Sequence, residues 1–221
     1  MKCEKLLILG STGRTGKYLL AEALARDFEV NILVRDAQKV KVSSEKLRIF
    51  EGTSSNKEDL AKALQGCTHV LSALNISRNS DFPWAGLRTP KDFLEKTVQN
   101  LIDLSKTHLI ENVVVISAWG VAETLKDIPF WFRWMIDFSN IKYGYQGHEQ
   151  QEKLLQNSEI NYTIIRPVAL INSEKLKPVV VTKNNTPKPN LLISRKNVAG
   201  FMLDVLEEKR FDKQAITISE Q

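Results

Sequence analysis

Two patterns of apolar residues alternate along the chain. Short aliphatic and β-branched runs bounded by turn residues indicate buried strands. They lie near Lys5–Leu9, Glu29–Val34, Leu47–Glu51, His69–Ala73, Asn112–Ser117, Tyr162–Arg166, Val179–Thr182 and Ala215–Ile218. Apolar residues three or four apart predict helices near Thr15–Arg26, Lys57–Leu64, Lys91–Thr107, Tyr145–Gln156 and Arg195–Glu207. The alternation predicts a doubly wound, mostly parallel sheet of about seven or eight strands with helices on both faces.

The composition is typical of one globular domain. Of the 221 residues, 43% are apolar, and no linker, repeat or low-complexity tract divides them. We therefore expect a single domain, 1–221, whose substrate-side elements occupy about 119–195.

Charge and cysteine usage exclude several function classes. The net charge of +5 is scattered and forms no basic stripe with interleaved aromatic residues, which argues against direct nucleic-acid binding. Cys3 and Cys67 show no metal-ligand spacing, and Cys67 with His69 indicates the start of a buried strand, so no metal is expected. Leu6–Leu9 is too short for a signal peptide and no run could span a membrane. We expect a cytoplasmic monomer or weak dimer.

Three glycines stand where the first strand turns into the first helix, in Gly10-Ser11-Thr12-Gly13-Arg14-Thr15-Gly16. A sharp turn and the close approach of a ligand both need residues without a Cβ. The helix start presents free N–H groups and a positive dipole end to an anion, commonly a dinucleotide pyrophosphate. The context predicts a Rossmann dinucleotide site, with a plain glycine-rich turn as the alternative.

The end of the second strand bears on which dinucleotide binds. An acidic residue there would accept the ribose 2′-hydroxyl of NAD, but this chain has Arg35. Arg35 and Arg14, with Lys39 close behind, would hold a 2′-phosphate by charge-assisted hydrogen bonds. The sequence therefore favours NADP(H) over NAD(H). Two alternatives stay open: a small register shift that brings Asp36 into the acidic position, and a plain surface role for Arg35.

Ligands of such sheets bind at the carboxyl ends of the strands, which selects the candidate residues. The candidate cofactor-binding residues are Gly10, Thr12, Gly13, Arg14, Thr15, Gly16, Arg35, Thr53, Ser54, Ala73, Leu74, Ser117, Pro167 and Val168.

Over nearly its whole length the chain resembles the atypical short-chain dehydrogenases/reductases, in the group with NmrA-like proteins and the biliverdin reductase B type of flavin reductase. The residues that carry the resemblance are Gly10–Gly16, Val34-Arg35-Asp36, Val115-Ile116-Ser117-Ala118, Glu152-Lys153-Leu154-Leu155, Tyr162-Thr163-Ile164-Ile165-Arg166-Pro167 and Ile193–Ala199. The resemblance implies a Rossmann fold and places Pro167, Val168 and Ala169 against the nicotinamide. The chain departs from the group at Gly52-Thr53-Ser54, where the group has Gly-Asp.

The superfamily's catalytic pair, a Tyr four residues before a Lys, is missing. By the resemblance that Lys would precede Glu152 by four residues, where this chain has His148, and the Tyr position is Gly144. Tyr143 and Tyr145 flank it, but neither has a Lys four residues on. A tyrosine without that Lys is a poor acid–base catalyst at neutral pH, so ordinary alcohol–ketone chemistry is not expected.

Hydride transfer to a flavin or quinone does not need that pair, because the cofactor carries most of the chemistry. Ser117 is the candidate to orient the carboxamide or donate to substrate; local backbone bonding is its alternative. His148 is the candidate proton donor because imidazole titrates near neutral pH; a purely structural histidine is the alternative.

Aromatic residues gather after the strand ends. Trp119, Phe82 and Trp84 are candidate contacts to a planar substrate. The aromatic segment 128–138 predicts a further pocket wall, or else a helix on the core or a protein interface.

Three functions remain in view. The first is an NADPH-dependent reductase acting on a small planar acceptor. The second is a redox sensor of the NmrA-like kind that binds NADP(H) without turnover. The third, a relative of sugar-nucleotide epimerases, is disfavoured by the missing Tyr–Lys pair and the short C-terminal part.

Overall fold

The computed structural model describes residues 5–221, so Cys3 lies outside the described part. The strands are β1 (Lys5–Leu9), β2 (Glu29–Val34), β3 (Leu47–Glu51), β4 (His69–Ser72), β5 (Asn112–Ile116), β6 (Tyr162–Pro167), β7 (Ala169–Ile171), β8 (Val179–Thr182), β9 (Leu192–Ser194) and β10 (Gln214–Glu220). The helices are α1 (Gly16–Ala25), α2 (Lys57–Leu64), α3 (Phe93–Ser105), α4 (Phe130–Asp137), α5 (Ile141–Gln156) and α6 (Arg195–Glu207).

The main sheet confirms the predicted architecture. Within residues 5–221 it has eight strands in the order β3-β2-β1-β4-β5-β6-β10-β8. Neighbouring strands are parallel except β8, which runs antiparallel to β10 at the edge. A separate short pair joins β7 and β9 in parallel. The fold is a doubly wound Rossmann sheet.

Helices cover both faces of the sheet, which explains why its central strands are mostly apolar. Every residue of β5 and β6 is buried. One face packs against α1 and α6, and the other against α2, α3 and α5. The two layers leave the carboxyl ends of the strands open as a ligand-binding edge.

The structure has a helix within the aromatic segment 128–138, and the helix after it begins earlier than predicted. Phe130–Asp137 forms α4, and α5 begins at Ile141, four residues before the predicted start at Tyr145. The glycines in the first turns of α5 weaken the helical pattern in the sequence. Gly147 has a packing reason, because a Cβ there would lie 3.0 Å from Cγ1 of Ile76 and 3.3 Å from Cδ1 of Leu94.

The strand order reverses beside β1, and this switch positions the site. From β1 the chain steps outward to β2 and β3, then returns to place β4 on the other side of β1. The connections after β1 and β4 therefore diverge and leave a crevice between them. The glycine turn lies at this crevice.

Candidate functional site

The glycine turn packs so tightly that there is no room for a Cβ at Gly10 or Gly16. Gly10 has a φ of +79°, and a Cβ on it would lie 2.9 Å from the carbonyl oxygen of Ala73. A Cβ on Gly16 would lie 2.0 Å from the carbonyl oxygen of Gly10. The backbone of the turn therefore packs directly on the start of α1 and on the residue after β4.

The start of α1 has the features of an anion-binding site. Thr15 precedes the helix without a side-chain capping bond, and the first turn carries no acidic residue. Thr12, Gly13 and Arg14 are exposed along the turn. Among the described residues, the buried hydroxyl of Ser11 has no hydrogen-bond partner. Free N–H groups, the helix dipole and this hydroxyl fit the pyrophosphate of a dinucleotide.

At the end of β2, Arg35 follows the strand directly and is exposed. Asp36 is engaged locally: its carboxylate accepts from the backbone N–H of Gln38 at 3.0 Å and pairs with Lys39 at 3.1 Å. The hydrogen bond from Lys39 lowers the pKa of Asp36. Arg14 pairs with Asp81, in the connection after β4, at 2.9 Å. Arg14, Asp36 and Lys39 are thus each engaged in an ion pair, whereas Arg35 is exposed to solvent and available to bind a ribose 2′-phosphate.

The two hydroxyl residues after β3 differ in their surroundings. Ser54 is buried, and its hydroxyl lies 2.8 Å from the hydroxyl of Thr97 on α3. Thr53 is half-buried; its N–H donates to Asp59 at 3.0 Å, and its hydroxyl lies 3.0 Å from that of Ser55. Thr53 is therefore the more accessible of the pair for a ligand.

A cavity of about 280 Å³ opens beside the glycine turn, at the carboxyl ends of β4, β5 and β6. Eight of the candidate residues line it: Thr15, Ala73, Leu74, Ser117, Trp119, His148, Pro167 and Val168. Phe82 and Trp84 are not in its wall. They are exposed, and the indole N–H of Trp84 donates to the carbonyl of Phe138 at 2.8 Å, which ties this loop to the end of α4.

Beneath Ser117 lies a buried array of charges. The Ser117 hydroxyl donates to Oε1 of Glu152 at 2.5 Å. Arg166 donates to the same carboxylate from Nε at 3.0 Å and from Nη2 at 2.5 Å. The guanidinium also donates to Glu123 at 2.5 and 3.1 Å, and this lowers the pKa of the more exposed Glu123. One cation thus links a buried carboxylate under the cavity to a carboxylate at the surface.

His148 lies in the cavity wall one helical turn before Glu152. Burial lowers its pKa to about 4, so the imidazole is neutral at pH 7. The amide nitrogen of Gln151 donates to the carbonyl of Ile116 at 3.0 Å and lies 3.5 Å from Nδ1 of His148. A proton on Nε2 is the tautomer that lets Nδ1 accept from this amide. His148 can therefore give a hydrogen bond but does not carry a charge.

Tyr145 does not supply the missing catalytic pair. It lines the cavity, but its hydroxyl donates to the carbonyl of Trp119 at 3.3 Å, and burial raises its pKa. Tyr143 lies under the ammonium group of Lys91, 4.0 Å from the ring centroid. Of the described residues that line the cavity, none is a lysine. The described residues of the cavity wall therefore do not include a Tyr–Lys pair for acid–base chemistry.

Several residues of the site were not found from the sequence. Glu152 and Arg166 served only to mark the resemblance, although an arginine inside the apolar run of β6 signals a buried charge that needs a partner. Arg78 and Arg195 also line the cavity. Burial and the neighbouring charge of Arg14 lower the pKa of Arg195, whose guanidinium donates to Asn172 at 2.8 Å. No local pattern indicated that these arginines reach the cavity.

The aromatic segment divides between cavity and surface. Phe132 lines the cavity and packs edge-on against Tyr145, with ring centroids 6.4 Å apart. Other aromatic residues of the segment are exposed, namely Phe130, Trp131, Trp134 and Phe138. We call these four the α4 aromatic face. It adjoins the cavity wall without being part of it.

None of the helices described within residues 5–221 is both long enough and apolar enough to cross a membrane.

Comparisons with known proteins agree with the geometry. A family model described as NAD(P)H-binding matches residues 10–209. An uncharacterized chloroplastic protein of Arabidopsis thaliana is 27% identical over 223 residues, which cover 96% of this chain and 75% of that protein. Since that relative is chloroplastic, a cytoplasmic location for this chain stays a prediction.

Two solved structures share the fold. A short-chain dehydrogenase/reductase of Veillonella parvula in complex with NADP has a TM-score of 0.77 and 21% identity, over 98% of this chain and 94% of that one. The anaerobilin reductase ChuY of Escherichia coli O157:H7 has a TM-score of 0.80 and 16% identity, over 98% and 97%. At these identities the likeness concerns the fold.

Proposed function

Because the chain belongs to the NAD(P)H-binding family, we propose that it is an NADPH-dependent reductase that transfers a hydride to a small planar acceptor such as a flavin or a quinone. The observation that carries this proposal is the cavity itself. It meets the glycine turn at Thr15, and its wall combines the aromatic residues Trp119, Phe132 and Tyr145 with polar groups that include Arg78, His148 and Arg195. The aromatic residues suit contact with a flat ring system, and the polar groups suit hydrogen bonds to its substituents.

The dinucleotide would lie along the carboxyl edge of the sheet. The glycine turn and the start of α1 would hold the pyrophosphate. Arg35 would bind the 2′-phosphate, since the carboxylate of Asp36 is already paired with Lys39. Ser117, Pro167 and Val168 would surround the nicotinamide, because all three line the cavity. A protein that shares this fold, at 21% identity, has been solved in complex with NADP, which supports a dinucleotide as the ligand.

The bound nicotinamide would supply the hydride, and the protein would position the two ring systems and keep water away from them. Trp119 and Phe132 would exclude water and contact the flat face of the acceptor. His148 would act as a neutral hydrogen-bond donor from Nε2 to an acceptor oxygen or nitrogen. Polarisation by such a donor does not require a Tyr–Lys pair, and no lysine is among the described residues of this wall.

A redox sensor that binds NADP(H) without turnover is the second candidate. The α4 aromatic face supports it, because exposed apolar residues beside a ligand cavity suit a protein partner. Turnover separates the two candidates, since both require the same dinucleotide site.

The testing experiment measures binding before turnover. Calorimetric titrations of NADPH and NADH are followed, on the same preparation, by absorbance decay of NADPH with flavin and quinone acceptors. Binding of NADPH with turnover is the expected result. Binding without turnover on any acceptor would favour the sensor, and no binding of either dinucleotide would overturn both candidates.

A further inference from the structure

The direction of one hydrogen bond decides what Ser117 can recognise. A serine hydroxyl has one proton to donate and two lone pairs that accept. The proton of Ser117 is already given to Oε1 of Glu152, at 2.5 Å. The backbone N–H of Ser117 donates to the carbonyl of Ile165 at 2.7 Å, which holds the residue in place. Ser117 lines the cavity, and its hydroxyl has only lone pairs left for a second hydrogen bond.

Glu152 cannot exchange roles with Ser117, because Arg166 donates to both oxygens of the carboxylate. Arg166 occupies Oε1 through Nε and Oε2 through Nη2, and both side chains are 1% exposed. A guanidinium has no acceptor and a carboxylate has no proton to give, so the array has a single consistent polarity. The carboxylate then accepts two hydrogen bonds at Oε1, one from Arg166 and one from Ser117.

We propose that Glu152, held by Arg166, is a positioning residue that fixes Ser117 as a hydrogen-bond acceptor, so that Ser117 recognises an N–H donor in the cavity. The inference rests on the proposed function, under which that donor is the amino group of the nicotinamide carboxamide. The carboxamide has one donor group, its NH₂, and one acceptor, its carbonyl oxygen. Ser117 would accept a hydrogen bond from the NH₂ and would give none to the carbonyl oxygen.

Two cofactor analogues separate these readings on the wild-type protein. The 3-acetylpyridine analogue of NADP⁺ keeps the carbonyl and has a methyl group in place of NH₂. The thionicotinamide analogue keeps NH₂ and replaces the carbonyl oxygen by sulfur. Calorimetry should show the acetyl analogue binding about twofold to tenfold more weakly than NADP⁺, the worth of one hydrogen bond. The thio analogue should bind within about twofold of NADP⁺ on the same argument.

Variants then assign the effect to the two residues. Ser117→Ala should bind NADP⁺ and the acetyl analogue about equally. The double variant Glu152→Leu with Arg166→Met replaces the buried pair by apolar side chains, a change that proteins often tolerate. It leaves the Ser117 hydroxyl free to turn its proton toward the carbonyl of either ligand, so the preference for NADP⁺ should fall toward that of Ser117→Ala. Urea unfolding checks that each variant is folded.

The outcomes are distinct. A folded double variant that keeps the full wild-type preference would overturn the positioning role of Glu152. A preference that survives Ser117→Ala, or a penalty on the thio analogue that Ser117→Ala removes, would show that Ser117 does not accept from the carboxamide. Should the double variant not fold, the wild-type and Ser117→Ala titrations still decide the direction of the hydrogen bond. Failure of the wild-type protein to bind any of the dinucleotides would instead overturn the proposed function.

Discussion

Arg166 and Glu152 form a two-point ion pair in the protein interior, with Nε to Oε1 at 3.0 Å and Nη2 to Oε2 at 2.5 Å. The pair joins β6 to α5 under the cavity. Arg166 has a second carboxylate partner in Glu123, but the buried carboxylate of Glu152 is compensated by Arg166, so Arg166 cannot be replaced alone at low cost.

Removing Arg166 alone should be far more damaging than removing both members of this pair. Arg166→Met leaves the carboxylate of Glu152 buried without its cation and should lower the free energy of unfolding by about 3–5 kcal/mol. Glu152→Leu with Arg166→Met should unfold near the wild-type urea midpoint. Lys153→Met, which breaks the exposed pair with Glu149 on the same helix, is the control and should cost less than about 1 kcal/mol. Equal losses in the single and double variants would contradict this account.

Gly16→Ala should abolish dinucleotide binding, because its Cβ would lie 2.0 Å from the carbonyl oxygen of Gly10 and 2.9 Å from Cα of Ser11. Both contacts are to backbone, so the turn itself has to open. Gly200→Ala on α6 is the matched control, since the nearest atom to its Cβ is Nη2 of Arg26 at 3.8 Å. Calorimetry with NADPH should show binding in the control and none in Gly16→Ala. Retained binding in Gly16→Ala would mean that the turn does not hold the ligand.

Arg35→Asp should weaken NADPH binding by about tenfold to a hundredfold, the loss of a charge-assisted hydrogen bond to phosphate. NADH binding should hold or improve, because the new carboxylate can accept from a ribose 2′-hydroxyl. Arg48→Asp makes the same charge change near the amino end of β3, away from the site, and serves as the control. Parallel titrations of both dinucleotides check the ratio. An unchanged ratio in Arg35→Asp would refute the role of Arg35.

The burial of His148 should appear as a pH dependence of stability. Its pKa is about 4 in the folded protein and 6.5 ordinarily, so between these values the unfolded chain binds more protons. Stability contributed by the neutral imidazole is complete above pH 6.5 and is lost as pH falls toward 4, by on the order of 3 kcal/mol. Urea unfolding of the wild type and His148→Gln across this range should give curves that converge at low pH. A constant difference would show that His148 is not buried in the neutral form.

Patterns of near neighbours were enough to predict much of this protein. Alternating apolar runs and helical spacing indicated the doubly wound sheet, because buried parallel strands must be apolar on both faces. The spacing of Gly10, Gly13 and Gly16 located the turn, since only glycine fits backbone packed that closely. The order of strands then implied that Ser117 and Pro167 would share one edge, and both line the cavity.

Contacts between distant residues were decided only by the tertiary structure. Ser117 and Glu152 are 35 positions apart, and Arg14 and Asp81 are 67 apart, so no local pattern pairs them. Neither could the sequence tell that Phe132 faces the cavity while Trp131 faces solvent, or that His148 is neutral. Periodicity records which residues are buried; the partner that compensates a buried charge, and the environment that sets a pKa, exist only once the helices have packed on the sheet.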